Sequence, residues 1–117
     1  MSISLLVQHI NALVKADPAL AAINPGLVNY GIPSKLPAIY IDAVTLDTNN
    51  RTNMTFNLVY ATNKMAVTEF DTAQAILEAL QESHAIIASR LTPRAEPEDN
   101  VSSWLIPCIF YASKLNP

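Results

Sequence analysis

Two histidines, His9 and His84, and one cysteine, Cys108, are the residues from which this sequence would have to build an activated nucleophile, a general base or a zinc site. Their surroundings point elsewhere. His9 stands beside Ile10 on an amphipathic segment and reads as a flank residue. His84 follows a long helical pattern and is placed to meet the last helix carbonyls. Cys108 lies between Ile106 and Phe110, where an apolar environment raises a thiol's pKa and makes it inert. The carboxylates Glu96, Glu98 and Asp99 lack the glycine-containing pattern of a calcium loop and read as a solvated turn. With two glycines in the chain, Gly26 and Gly31, there is neither a phosphate loop nor a dinucleotide fingerprint. The expectation is a protein without catalytic residues, cofactor or metal.

Composition shifts attention from chemistry to surface. The 117 residues suit a single domain, 1–117, and half of them are hydrophobic while 15% are charged, against about a quarter in an average domain. That is more apolar surface than a small monomer needs. A net charge of −3 and a pI near 5.1 argue against a broad basic surface for gripping nucleic acid. No run approaches the roughly 18 apolar residues of a membrane span, and Met1-Ser2-Ile3-Ser4 lacks the features of a signal peptide. The chain is therefore expected to be made in the cytoplasm, where a lone cysteine is at home.

The elements follow from periodicity. Ile3, Leu6, Val7, Ile10, Leu13 and Val14 recur at helical spacing up to Lys15, and Asp17-Pro18 both stops that helix and can start a short second turn to Ile23. Leu27 to Ile32 reads as a short strand and Ala38 to Leu46 as a longer one. After the polar turn Asp47 to Arg51, Met54, Phe56, Leu58 and Tyr60 alternate with Thr55, Asn57, Val59 and Ala61 in a strand antiparallel to the one before. Phe70, Ala73, Ile76, Leu77 and Leu80 share one face of a helix over 68–83, with Glu69 among the polar residues placed away from that face. Residues 85–91 suit either a helix extension or a strand, and a strand is expected. Pro93 to Asn100 reads as an exposed hairpin connection before a final strand from Val101 to Ala112. The resulting fold class is α+β, a small mixed or antiparallel sheet in the order α-β-β-β-α-β-β with helices packed on one face.

On the final strand both faces are apolar: Trp104, Ile106, Cys108 and Phe110 alternate with Leu105, Ile109 and Tyr111. Two helices cover one face of a small sheet, so the second set must meet a loop, another subunit or a different protein. Pro107 suits a sheet edge or a bulge, and an edge strand can accept a neighbour's strand. Leu105, Ile109 and Tyr111 are accordingly the candidate subunit interface.

Four segments give the chain a resemblance to the tail-terminator and minor-tail-protein families of long-tailed bacteriophages. They are the first helix ending in Ala16-Asp17-Pro18-Ala19-Leu20, the proline-flanked strand Leu36-Pro37-Ala38-Ile39-Tyr40-Ile41, the helix Thr72 to Leu80, and the closing Trp104-Leu105-Ile106-Pro107-Cys108-Ile109-Phe110-Tyr111. The resemblance lies in architecture, without a signature motif, and covers nearly the whole chain. It implies a virion subunit forming a homo-oligomeric ring, usually a hexamer, that ends tail-tube growth and joins the tail to the neck. The tube protein and the neck or connector protein would be its partners, with DNA passing through the lumen without specific binding. An acidic subunit suits such a conduit, because negative charge repels phosphates.

Loops on a rigid sheet commonly carry contacts, which makes Asp47, Asn49, Asn50 and Arg51 in one loop, and Arg94, Glu96, Glu98 and Asp99 in the other, candidates for contact with partners. A head-completion or neck connector protein would share the size, the acidity and the ring formation, and the sequence does not separate the two. A small cytosolic chaperone or adaptor differs in being dimeric, with a groove for a peptide strand.

Overall fold

The fold comes from a computed structural model that describes residues 3–23, 28–31, 36–46, 53–64, 67–96, 101–111 and 114. Helix α1 (Ile3–Ala16) runs into the short α2 (Pro18–Ile23). The Asp17 side chain caps the second helix by accepting the Ala19 N–H at 3.0 Å, as an aspartate ahead of a proline at the first helical position should. Strands β1 (Asn29–Tyr30), β2 (Ala38–Leu46) and β3 (Asn53–Thr62) precede helix α3 (Val67–Gln81), and β4 (Ile86–Ala88), β5 (Thr92–Glu96) and β6 (Val101–Tyr111) close the described chain.

The strands form one mixed sheet in the order β1-β2-β3-β6-β4, with β5 also paired to β6. β1 runs parallel to β2, and every other pairing is antiparallel. The α+β class and the helix-on-one-face layout are as the sequence predicts, with two differences in the strands. The first is β5. Pro93, Arg94 and Glu96, expected in a loop, stand in a strand, and the rest of the expected connection, residues 97–100, lies outside the described residues. Among the described residues β5 pairs only with β6, and such an outer strand tolerates a proline and charged side chains. The second concerns β6, which is not an edge: β3 flanks it on one side and β4 and β5 on the other. The place for Pro107 is the bulge alternative, since the outer pairing is interrupted between Ala88↔Cys108 and Thr92↔Leu105.

Alternation along β3 and β6 directs Met54, Phe56, Leu58, Tyr60, Trp104, Ile106, Cys108 and Phe110 toward the helices. There they pack with Leu6, Ile10 and Val14 of α1 and Ala73, Ile76 and Leu80 of α3 in one buried cluster. Three polar contacts tie this layer together. Asn11 on α1 grips the backbone of Val28, Tyr60 on β3 donates its hydroxyl hydrogen to Glu69 on α3, and His9 on α1 shares a hydrogen bond with Ser83 just after α3. Glu69, expected on the polar side of its helix, is instead buried by the Tyr60 contact.

Candidate functional site

The face of the sheet opposite the helices is unevenly covered. Near one end, Tyr40, Val59 and Ala61 are buried beneath the partly buried Leu36, Val101 and Leu105. Toward the other end the described residues cover it less. Thr55 is exposed, Ile109 and Tyr111 are half-buried, and Ile87 on β4 is 53% exposed. Three partly exposed aliphatic or aromatic side chains would be ordinary if scattered, but Ile87 pairs directly with Ile109, and Tyr111 follows two residues along the same face.

Two irregularities shape this end. In β2 the register shifts between Asp42 and Thr45, and Ala43 there takes a φ of 53°, the left-handed region that gives a strand bulge its turn. Across the sheet, Ala88 to Thr92 spans one residue more than the Cys108 to Leu105 stretch it faces, which puffs out the chain around Ser89 and Arg90. Asn57 and Pro107 pair with each other between the two bulges. The result is a groove of about 340 Å³ crossing the strands, with Thr55, Asn57, Pro107 and Ile109 on its floor and Ala43, Ile87 and Arg90 at its sides. Pro107 belongs to this geometry, because a residue with no N–H to donate leaves nothing unsatisfied where the outer ladder breaks.

Of the predicted interface residues, Ile109 lines the groove, Tyr111 lies beyond it on the same face, and Leu105 packs into the covered end. Arg94 is exposed on β5 opposite Ser103, hence on this same side of the sheet. Glu96 lies in β5, paired with Val101. Asp47, Asn49, Asn50, Arg51, Glu98 and Asp99 lie outside the described residues. Ile87 and Arg90 were not legible as groove residues, because only the bulge brings residues 87–90 beside Pro107.

His9, Cys108 and Tyr60 each make contacts within the fold. His9 Nε2 lies 2.7 Å from Ser83 Oγ, but that oxygen also accepts the Ala85 N–H at 3.1 Å, and the imidazole stacks on Phe110 with centroids 5.8 Å apart. Burial lowers the pKa of His9, favouring the neutral ring. The Cys108 thiol is pushed up to about 12 by burial and donates to the Ile106 carbonyl. Burial and the neighbouring Glu69 carboxylate raise the Tyr60 phenol above its ordinary range. Among the described residues no three His, Cys, Asp or Glu side chains are grouped to hold a metal, and no helix is long and apolar enough to cross a membrane.

Compared with known proteins, the chain matches no family model and no curated sequence.

Proposed function

We propose that the chain is a structural subunit of a phage virion that acts by assembly and without catalysis, closing as a ring on the head-proximal end of the tail tube. In that position it ends tube polymerisation and presents a surface to the neck. The observation that carries this reading is the half-covered sheet face, where Ile87, Ile109 and Tyr111 stand at or beside a groove that none of the described helices covers. Full burial of one such side chain is worth roughly 1.5–3 kcal/mol, so covering this patch in an assembly adds a substantial driving force. A ring of identical subunits needs two different complementary surfaces on each, and the molecule has a sheet face and a helical face of different character. The resemblance in element order to tail-terminator proteins supplies the biological setting. The acidic balance suits a lumen through which DNA slides.

The test is the mass of the purified protein by light scattering over a range of concentration and salt, with negative-stain imaging of large species and addition of tail-tube protein. Rings, or tubes of stopped length in the presence of the protein, support the reading. A stable dimer that leaves tube growth unchanged overturns it in favour of an adaptor.

A further inference from the structure

We infer that the groove on the open sheet face and an acidic groove on the helical face are the two halves of one head-to-tail contact, so that the helical layer of one copy seats on the sheet of the next. This rests on the assembly reading above and names the surfaces that perform it. The second groove, of about 350 Å³, lies where the end of α1 and the start of α2 meet α3, and Asp17, Glu78 and Glu82 contribute three carboxylates to a lining that contains no basic side chain. Glu78 sits in the last turn of α3 and Glu82 immediately follows it. That is the negative end of the helix dipole, where cations are favoured, yet the last turn of α3 carries no basic residue. Glu78 and Glu82, four positions apart, project from the same ridge of the helix, and both are exposed.

The sheet groove offers the opposite charge. Arg90 is exposed at its side. The other lining residues are neutral, with Ile87, Ile109 and Pro107 supplying apolar contact and Thr55 and Asn57 supplying hydrogen-bonding groups, while Asp42, the cross-strand partner of Asn57, puts one carboxylate on the same face beside the floor. The α3 ridge of a second copy laid along this groove brings Glu78 and Glu82 to Arg90 while covering Ile87. Because the two halves lie on opposite sides of one sheet, each copy keeps both free for a further neighbour. The contact is heterologous, and repetition closes a ring when the rotation per step allows it. A self-complementary dimer through the acidic groove would set its carboxylates against each other.

The experiment is sedimentation velocity at low and moderate salt on the full chain and on two variants, Arg90→Glu and the double variant Glu78→Arg with Glu82→Arg, each alone and in equimolar mixture, with circular dichroism confirming the fold. All the changed side chains are exposed, so folding should survive. The expected result is assembly of the wild type, loss of about tenfold or more in association for each variant alone, and recovery on mixing. Recovery follows because the reversed groove of one variant meets the reversed ridge of the other, while the remaining contact is wild type. Wild-type assembly with variants that associate equally well overturns this contact and leaves the ring reading standing. Variants that are weakened but fail to recover on mixing overturn the pairing of these two surfaces. A wild type that stays monomeric at every concentration overturns the contact as a self-sufficient one and leaves the tube assay to decide the assembly reading.

Discussion

Asn11 holds the backbone of Val28 by both of its hydrogen-bonding groups: its Oδ1 accepts the Val28 N–H at 2.7 Å, and its Nδ2 donates to the Val28 carbonyl at 3.2 Å. Val28 is fully buried just ahead of β1, so its peptide groups have no water to turn to. The side chain thus replaces a strand partner and fixes where the chain enters the sheet. Asn11→Ala is expected to cost about 2–4 kcal/mol, since two buried backbone groups lose their partners at roughly 1–3 kcal/mol each with partial relaxation. Urea unfolding at neutral pH measures this. Asn11→Asp keeps the acceptor and loses the donor, and it should be more damaging at neutral pH than at acid pH, where the carboxyl can regain a proton and donate.

His9 gives a pH dependence with a defined sign. Its folded pKa lies below the ordinary 6.5, so the unfolded chain binds more protons as pH falls through that region. This residue's contribution to stability is therefore intact above about pH 6.5 and declines below it. Melting temperatures measured from pH 8 to pH 5 should fall, and His9→Gln, which retains a hydrogen-bonding group toward Ser83, should flatten the decline. An unchanged slope in that variant would remove His9 as its source.

Tyr60 and Glu69 form a second fastening, between β3 and α3. The carboxylate is only 8% exposed, and the phenol is the donor it meets. Tyr60→Phe should cost about 1.5–3 kcal/mol, the range for a hydrogen bond to a charged group. Combined with Glu69→Gln, the loss should be less than the sum of the two single effects, because the partners share one interaction. Chemical denaturation of the four proteins in the cycle measures the coupling.

Ala43 sits at φ 53°, in the left-handed region that costs a residue with a Cβ about 1–2 kcal/mol. Glycine removes that penalty but has more backbone freedom to lose on folding, about 0.5–1 kcal/mol. The balance predicts that Ala43→Gly is stabilising by up to about 1 kcal/mol. Ala43→Val should be destabilising, since a β-branched side chain is less tolerant still of that conformation. Urea midpoints for the pair of variants give both signs.

The elements with a clean period were legible in the sequence because burial imposes that period. Leu6, Ile10 and Val14 mark α1 at helical spacing, and Met54 to Tyr60 mark β3 by alternation. β5 was hidden because Pro93, Arg94 and Glu96 have the composition of a loop, and an outer strand can share that composition. The buried Glu69 was hidden because nothing near it in sequence announces that Tyr60, on another element, will solvate it. The groove was hidden for a further reason. It exists where two strand irregularities fall on opposite sides of the Asn57↔Pro107 pair, and Ala43, unlike a glycine, gives no sign of a bulge. Ile109 and Tyr111 were legible as a surplus, since their alternation with Cys108 and Phe110 places them on the sheet's second face.

That surplus can be tested against the covered part of the same face. Ile109→Asp together with Tyr111→Asp places charge on half-buried positions at the open end, and it should weaken self-association while circular dichroism and the unfolding midpoint change little. Leu105→Asp changes a residue of similar type on the same strand, but one that packs with Tyr40, Val59 and Ala61. A charge there enters an apolar cluster within the subunit, so the loss should appear in folding, by several kcal/mol, before any measurement of assembly. The two variants therefore test a division of one sheet face in which the covered end serves the fold and the open end, on the proposed assembly, serves a neighbour. If the open-end variant unfolds as readily as the Leu105 variant, Ile109 and Tyr111 belong to the subunit's own core, and the interface must be sought elsewhere.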